Sequence, residues 1–375
     1  MIGHYKMSLI GSSHLSKKGG VCQDSCDAKK LQNGWVIAAI ADGLGSAKHS
    51  EIGSSIAVET VISFSETNIP DLWHDESMLS LLRTAFHCAL KQIKEKADSD
   101  RNHVRDYETT LTSVIYNGTN AVFGHVGDGG VIALNHYGEF SLLTVAQKGE
   151  TFNSVVPLRA GPDAWMFGKT EESIAALLMM TDGIYDVACP WLLMDQEQKI
   201  QKIWVNYVRR FIDRNKLPVN TDADFETAQK EIEAFFSDKH VPTITDDKTI
   251  LGIINTDIMP EVKFDEYYAD PDWIGLRRKY DELLYGKEDD VAPDSKDEKV
   301  VDYSETDSHV ETEMVNNSSV PTENQGEHIN DQTMSDENDA TKSSERQSDN
   351  VNLQKDDSFF YKIKSLILQT KSIKE

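Results

Sequence analysis

The sequence predicts an α+β fold in which helix pairs cover the outer faces of antiparallel sheets. The first observation is a series of short runs rich in Val, Ile, Leu and Thr, separated by turns such as YNGTN and NHYGE that are typical of hairpins. The second is helical periodicity on both sides of that series. The third is the order of the elements, which lacks the regular alternation of strand and helix found in parallel α/β folds. Hairpin-linked strands in the middle of the chain therefore imply antiparallel sheets.

The individual elements follow from these patterns in chain order. Strands are predicted at 35–41, 110–116, 121–126, 130–135, 140–144, 175–181 and 249–254. Helices are predicted at 50–66 and 222–238, the latter burying Phe225, Ala228, Ile232 and Phe235. Two more helices are predicted from apolar faces formed by Leu79, Leu82, Phe86, Leu90 and Ile93, and by Ile200, Ile203, Trp204, Tyr207, Val208 and Phe211. The order is therefore strand, two helices, a meander of strands, two helices and a closing strand.

Charge is unevenly distributed along the 375 residues, whose formal net charge is −25. Residues 286–357 contain 21 acidic and 6 basic side chains with few aromatic ones, which predicts a disordered linker. We assign 1–258 to one domain, 259–285 to an aromatic, helix-like extension packed on or near it, and 358–375 to a short basic amphipathic helix. That last segment carries Phe359, Phe360, Ile363, Leu366 and Ile367 among lysines, which is typical of a helix that docks on a protein partner or a membrane surface; a frayed extension without a partner is the alternative.

Composition also excludes several classes of protein. The acidic folded part argues against binding of nucleic acid, which needs a basic surface. We expect a cytoplasmic protein, because there is no apolar run of 18 residues and no signal pattern at the start. The spacing of Cys22 and Cys26 lacks a second pair, so we expect free thiols in preference to a zinc site.

Acidic residues recur at the tips of the apolar runs. Asp42, Asp128 and Asp182 each follow such a run and each precede a glycine, while Asp246 and Asp247 come just before the last strand. A single Asp-Gly pair is a common turn signal, but antiparallel strands would bring all of these acids to one edge of a sheet. Oxygen ligands of this kind suit Mg2+ or Mn2+, and two such ions would support hydrolysis of phosphate esters without a covalent enzyme intermediate. The carbonyl of Gly43 could approach an ion closely, because glycine has no side chain.

Two other mechanisms have no support in the sequence. No phosphate-binding loop of the pattern G-x4-G-K-[ST] occurs, which argues against an NTP-driven motor. No G-x-S-x-G motif occurs either, which argues against a serine hydrolase.

Six blocks in order resemble the metal-dependent protein phosphatases of type 2C, also called PPM-type. They are VCQDS with Asp24, ADGLGS with Asp42 and Gly43, Thr109-Thr110-Leu111, HVGDGG with Asp128, MTDGIYD with Asp182, and Asp246-Asp247-Lys248-Thr249. The likeness runs from about residue 8 to residue 255 and is greatest to the bacterial branch, in which the first motif reads H-x-x-x-x-G-x-x-C-Q-D. It implies a four-layer α-β-β-α sandwich, two antiparallel sheets flanked by helix pairs, with Mn2+ or Mg2+ at the sandwich edge.

The resemblance also implies a role for each acid. Asp42 would bridge two ions, with the Gly43 carbonyl on one of them and Asp182 and Asp246 on the other. Asp24 would orient a metal-bound water, and Asp128 matches an acid that helps to hold a third, weaker ion. The implied reaction is hydrolysis of phosphoserine and phosphothreonine in proteins by a metal-bridging hydroxide, opposing a cognate kinase.

Three positions depart from the family pattern. Gly129 stands where many members have serine after the Gly-Asp pair. The arginine that often grips the phosphate is missing, so Lys17, Lys18 and His14 are the candidates for phosphate binding, although a lysine lacks the bidentate fork of an arginine. Leu44 stands where some relatives have a histidine proposed as general acid, which leaves that acid unassigned.

Several neighbouring residues have structural interpretations. A packed histidine is the alternative for His14, and His125 lies within an apolar strand as a satisfied core residue. Thr109 and Thr110 are interpreted as strand formers close to the site, and Asp247 as a solvated or turn-stabilising residue. The alternative function is that of a pseudophosphatase, a module that binds phosphoproteins without hydrolysis, and a phosphatase of small phosphate esters also stays open.

Overall fold

The computed structural model describes residues 1–17, 20–148, 154–195, 197, 200–237 and 244–285. The predicted acidic linker at 286–357 and the basic helix at 358–375 lie outside these residues. Within the described part of the chain, no helix has both the length and the apolar content needed to cross a lipid bilayer.

Ten described strands form two five-stranded sheets in which every neighbouring pair is antiparallel. The strands are β1 (Ile2–Leu9), β2 (Ser25–Lys30), β3 (Val36–Ala41), β4 (Leu111–Tyr116), β5 (Ala121–Val126), β6 (Gly130–Asn135), β7 (Phe140–Leu142), β8 (Met166–Lys169), β9 (Ile174–Met180) and β10 (Lys248–Asn255). The first sheet has the order β1-β10-β9-β6-β7 and the second the order β2-β3-β4-β5-β8.

Alternation along the strands separates three layers of apolar packing. In β3, for example, Val36, Ala38 and Ile40 face the other sheet, while Ile37 and Ala39 face helices. Both faces of each central strand are therefore buried, because side chains alternate with a period of two and the sheets are covered on both sides. Each large apolar side chain buried in this way contributes about 1.5–3 kcal/mol to stability.

Helices cover the outer face of each sheet. The described helices are α1 (Ser12–Lys17), α2 (Ser50–Asn68), α3 (Asp75–Asp100), α4 (Asp182–Ala188), α5 (Val205–Ile212), α6 (Asp222–Ser237) and α7 (Trp273–Tyr285). Residues of α2 and α3 pack on the second sheet, and residues of α4, α5 and α6 pack on the first. The predicted α+β sandwich of four layers is thereby confirmed.

Two details of the predicted helices were wrong. Helix α5 begins only at Val205, and Ile200 is 53% exposed. The segment just before Val205 is not helical, because Trp204 makes hydrogen bonds to distant residues. Its backbone N–H donates to the Ala188 carbonyl at 2.8 Å, and its indole donates to Asp270 at 2.9 Å. In α6 the buried side chains are those of Phe225, Ala228, Ile232 and Phe236, and Phe235 is only partly buried.

Five of the described strands and α-helices were not predicted: β1, β2, β8, α1 and α4. Strands β1 and β2 are edge strands that carry polar residues, and Lys6 of β1 pairs with Asp27 of β2 across the sandwich. Edge strands of this kind lack the apolar pattern of central ones, because water covers part of their surface. Strand β7 ends at Leu142, two residues earlier than predicted.

The extension at 259–285 packs on the outer side of the first sheet. Its short 3-10 helix, Asp265–Tyr268, places the Tyr268 ring under the guanidinium of Arg209 at 3.5 Å, and the Tyr267 hydroxyl accepts a hydrogen bond from the Phe140 backbone at 2.8 Å. Arg209 is itself paired with buried Asp213 at 3.0 Å. These contacts fix the extension to α5 and to the β7 edge.

Candidate metal centre and active site

Three of the predicted acids converge at one edge of the sandwich. Asp42 follows β3, Asp128 lies in the turn between β5 and β6, and Asp182 begins α4 directly after β9. One carboxylate oxygen from each lies within 4.8 Å of the other two. The strand ends that the sequence singled out are therefore brought together from both sheets.

The glycine after each of these acids permits close approach of distant backbone. A Cβ at Gly43 would lie 2.6 Å from the Gln23 carbonyl oxygen, one at Gly129 would lie 2.4 Å from that of Met180, and one at Gly183 would lie 2.1 Å from that of Asp247. None of the three has a positive φ. The glycines are needed because a side chain would collide with neighbouring backbone, and not because the chain makes an Asp-Gly turn.

Asp42 is fixed through its backbone. Its N–H donates to the Thr110 hydroxyl at 2.8 Å, and its carbonyl accepts from the Thr109 hydroxyl at 2.9 Å and from the Thr110 N–H at 2.8 Å. The two threonines lie just before β4, which begins at Leu111 and not at Thr110 as predicted, and they hold the backbone of Asp42. The carboxylate of Asp42 is thereby left available to the acidic cluster.

Asp24 lies beside this cluster and is buried. Its Oδ2 accepts hydrogen bonds from the Thr181 hydroxyl at 2.8 Å and the Thr249 hydroxyl at 2.6 Å. Its Oδ1 is buried and has no hydrogen-bond partner among the described residues. Burial raises the pKa of Asp24 to about 6, although the two threonine hydroxyls oppose the shift.

Burial and mutual repulsion raise the pKa of every acid in the cluster. For Asp42 burial is followed by the charges of Asp182 and Asp24, and its pKa lies well above the usual value. The pKa of Asp182 is likewise well above it, from burial and from Asp128 and Asp246. Burial raises the pKa of Asp128 to about 6, while Lys148 lowers it. Without a cation, this arrangement of carboxylates is electrostatically unfavourable.

The residues present fit a pair of hard divalent cations. The Oδ1 atoms of both Asp24 and Asp128 are buried without a hydrogen-bond partner in the described part of the chain. All the donors are oxygens, which Mg2+ and Mn2+ prefer, and bound cations would relieve the repulsion among the carboxylates. The four cysteines are free thiols, as predicted, and none of them belongs to either group of described residues that could hold an ion.

The turn that carries Asp128 is held by two residues, of which Gln147 was not singled out from the sequence. The Gly127 carbonyl accepts from the Gln147 N–H at 2.6 Å and faces Nε2 of His125 at 3.1 Å, while the Gly127 N–H donates to the Gln147 side chain at 3.1 Å. His125 is fully buried, and its Nδ1 lies 2.8 Å from the Thr112 hydroxyl. Burial lowers the pKa of His125 to about 4, so the ring is neutral and satisfied, as the core interpretation predicts.

Asp246 lies in a second acidic group with Asp247 and His14. Nε2 of His14 is 3.6 Å from Asp246, and its Nδ1 is 3.0 Å from Asp247. The Asp246 side chain is 51% exposed, and a Cβ at Gly183 would lie 3.5 Å from its Cβ, which places it next to the start of α4. Asp128, and not Asp246, is therefore the acid that lies in one group with Asp42 and Asp182.

The interpretation of Asp247 as solvated was wrong. Its side chain is buried and accepts hydrogen bonds from the backbone N–H groups of Gly11 at 2.7 Å and Gln23 at 2.6 Å. It therefore ties the segments before α1 and β2 to the start of β10, which is a tertiary role and not the stabilisation of a local turn. The remaining phosphate-binding candidates, the Lys17 side chain and Lys18, lie outside the described residues.

Comparison with known proteins identifies protein phosphatases as relatives of this chain. A family model described as Protein phosphatase 2C matches residues 10–228. Serine/threonine-protein phosphatase 3 of Escherichia coli (strain K12) is 25% identical over 133 residues, which are 33% of this chain and 50% of that protein. This chain therefore matches half the length of that curated relative.

Solved structures with a similar arrangement are bacterial phosphatases. Serine/threonine phosphatase Stp1 from Staphylococcus aureus is 12% identical, with 68% of this chain and 95% of that chain covered and a TM-score of 0.47. The catalytic domain of the serine/threonine protein phosphatase PstP, in complex with 2 manganese ions, is 16% identical, with 68% and 97% covered and a TM-score of 0.44.

Proposed function

This chain belongs to the protein phosphatase 2C family, and on that premise we propose that it hydrolyses phosphoserine and phosphothreonine in proteins with the help of divalent metal ions. The observation that carries the proposal is the convergence of Asp42, Asp128 and Asp182, each with an oxygen within 4.8 Å of the others. An enzyme of this activity would oppose a protein kinase.

The proposed binding of ions uses the acids of the site. Asp42 would bridge two Mn2+ or Mg2+ ions, with the Gly43 carbonyl on one and Asp182 and Asp246 on the other, and Asp128 would face a third, weaker ion. Such ions supply a Lewis acid that lowers the pKa of water and neutralises the phosphoryl oxygens. The convergence of Asp42 with Asp128 and Asp182 supports the bridging role, because burial and the neighbouring carboxylates raise the pKa of Asp42 and a cation would stabilise its ionised form.

Asp24 would orient the attacking water. Its Oδ2 is engaged by two threonine hydroxyls, which fixes the carboxylate, and its Oδ1 is free to accept a hydrogen bond from a water molecule. Fixing the carboxylate matters because a small misplacement of a positioning group can cost a large factor in rate.

We propose that Lys17, Lys18 and His14 contribute to phosphate binding. His14 is the described member of this set, and its contacts with Asp246 and Asp247 support a place beside the site. The general acid has no assigned residue, because Leu44 offers no proton and its backbone N–H donates to the Glu108 carbonyl at 3.0 Å.

The activity is tested with para-nitrophenyl phosphate and a phosphothreonine peptide in the presence of Mn2+. Wild type is compared with Asp42→Ala and Asp182→Ala, and Asp98→Ala on the exposed face of α3 is the matched control. We expect turnover that requires the ion, that survives Asp98→Ala and that falls at least a hundredfold in the two site variants. Such a loss corresponds to about 2.7 kcal/mol of transition-state stabilisation.

Four results would contradict the proposal in different ways. Turnover without added metal, or full activity in both site variants, would rule out the two-ion mechanism. Binding of the phosphopeptide without any hydrolysis would favour the pseudophosphatase. Hydrolysis of the small ester alone would point to small phosphate esters as substrates.

We also propose that 1–258 is the catalytic domain and that the tail localises it. Removing 286–375 is expected to leave turnover of the peptide nearly intact while changing the partner or membrane surface to which the protein binds. A large loss of turnover in the shortened chain would contradict this division.

A further inference from the structure

An exposed apolar patch lies where the extension at 259–285 runs past the hairpin between β6 and β7. We call Tyr137, Val262 and Phe264 the hairpin patch, and these residues are 45%, 66% and 85% exposed. The two segments are in contact here, because the backbone N–H of Glu261 donates to the His136 carbonyl at 3.0 Å. The three apolar residues therefore belong to one surface, although they are more than 120 positions apart in the chain.

The side chains of the hairpin patch point towards solvent. Lys263, between Val262 and Phe264, is turned to the protein instead: its Nζ pairs with Glu139 of the hairpin at 2.8 Å, and its backbone N–H donates to the Tyr268 hydroxyl at 3.0 Å. Side chains alternate along an extended segment, so the residues on either side of Lys263 share the outer face. The apolar patch is thus held in place by its own polar neighbours.

Acidic residues surround the patch. Residues 257–272 contain six acidic side chains and a single basic one, Lys263, which Glu139 pairs. The carboxylates of Glu261, Asp265 and Glu266 are exposed beside the apolar side chains. Apolar contact and charge complementarity together fit a segment that is both apolar and basic, while an acidic segment or an anionic lipid surface would be repelled.

This chain contains a segment of that chemistry at its C-terminal end. The segment 358–375, which lies outside the described residues, has four lysines and one glutamate. Its sequence predicts one apolar helix face, formed by Phe359, Phe360, Ile363, Leu366 and Ile367. The linker at 286–357 has the wrong charge for the patch, with 21 acidic and 6 basic side chains.

The linker between the domain and this segment is long enough to reach the patch. A disordered linker of 72 residues, as the sequence predicts, has an r.m.s. length of about 45 Å, close to the diameter of about 50 Å expected for the folded part. Such a tether keeps the segment at an effective concentration on the order of a millimolar. A contact with a dissociation constant of about 100 µM between separate molecules would then be about nine-tenths formed within one chain.

We propose that the C-terminal segment 358–375 docks on the hairpin patch of its own chain. The docked segment leaves the acidic cluster open, because the cluster and the patch lie at opposite ends of β6: Asp128 comes just before Gly130, and the hairpin follows Asn135. The strand separates them by about 20 Å. Docking thus requires neither metal nor turnover, and it withholds the segment from other partners and from membranes.

The test is photo-crosslinking within the full-length protein, in which Phe360 is replaced by the photoreactive p-benzoyl-L-phenylalanine. A protein concentration of about 1 µM makes contacts of about 100 µM affinity between molecules negligible. We expect a crosslink within one chain to 136–139 or 259–268, identified by mass spectrometry of the digested monomer. Val262→Ser combined with Phe264→Ser should lower its yield about tenfold, since each lost apolar contact weakens docking by about a factor of ten.

Leu72→Ser is the matched control. Leu72 is 77% exposed and lies between α2 and α3, which cover the other sheet, so this variant should keep the wild-type yield. Crosslinks to other parts of the chain only, an unchanged yield in the double variant, or an equal loss in Leu72→Ser would overturn the inference.

Two other occupants of the segment have distinct signatures. Crosslinked dimers as the main product would assign the segment to a second copy of the chain, and the inference would be wrong. It would also be wrong if the protein gave no crosslink and sedimented with phosphatidylserine vesicles, because the segment would then bind lipid. Each of these results leaves the proposed function untouched, since none of them measures turnover.

Discussion

Replacing Gly43 by alanine should disturb the fold and the candidate site together. The new Cβ would lie 2.6 Å from the Gln23 carbonyl oxygen and 2.7 Å from that of Ser50, and both are backbone atoms that cannot rotate away. The segment before β2 or the start of α2 must therefore move by several tenths of an ångström. Overpacking of this kind costs about 1–3 kcal/mol of unfolding free energy. Because Gly43 is bonded to Asp42, we also expect turnover with Mn2+ to fall at least tenfold.

Urea denaturation of the metal-free protein and hydrolysis of para-nitrophenyl phosphate measure the two effects. The matched control is Gly45→Ala two residues further on, because the nearest atom to its new Cβ is the flexible Gln23 side chain at 4.0 Å and its φ is not positive. That variant should stay within about 0.5 kcal/mol of the wild type. If Gly43→Ala matched Gly45→Ala in both stability and turnover, the reasoning from close backbone approach would be refuted.

Three further predictions concern the charges and hydrogen bonds of the site. Asp42→Asn should abolish turnover yet raise the unfolding free energy of the metal-free protein at pH 7, since burial and the carboxylates of Asp182 and Asp24 raise the pKa of Asp42 and disfavour its ionised form; an unchanged urea midpoint would contradict this. Asp24 has a folded pKa of about 6 and an unfolded pKa near 4, so between these values the folded state holds a proton that the unfolded state releases. Its contribution to stability is therefore present below pH 4 and is lost as the pH rises past 6. The unfolding free energy of Asp24→Asn, measured with urea, should rise relative to that of the wild type between pH 4 and pH 7, and a constant difference would be evidence against this. His125→Phe should lower the unfolding free energy by about 1–3 kcal/mol, because the hydroxyl of Thr112 and the carbonyl of Gly127 each lose a buried hydrogen-bond partner. A urea midpoint equal to that of the wild type would show that the ring matters only for packing.

Much of the fold could be predicted because its central strands are strongly patterned. Strands such as β3 and β9 are buried on both faces and appear in the sequence as continuous apolar runs. Three of the four edge strands, β1, β2 and β8, escaped prediction. In β2, for example, Cys26, Asp27, Lys29 and Lys30 stand within six residues. The start of α5 was misplaced for a different reason, because Trp204 bonds to Ala188 and Asp270, which no local pattern reveals.

The candidate site was predictable only in part. Asp24, Asp42 and Asp182 lie where their motifs suggested, because each follows or faces a strand end. Their partners are distant in sequence: Asp24 is held by Thr249, which is 225 positions away. The interpretation of Asp247 as solvated failed for the same reason, since its hydrogen bonds come from Gly11 and Gln23 near the start of the chain.

The local sequence pattern shows apolar runs that end on acids followed by glycines, and it is enough to predict that these runs form antiparallel sheets. These are local properties, set by the period of two along a strand and by the chemistry of a carboxylate. The packed structure was needed to learn why each glycine is there, which acids meet, and that Gln147 holds the turn before Asp128. The physical reason is that these facts depend on how two sheets pack, which brings backbone atoms and charges together from segments that no local pattern connects.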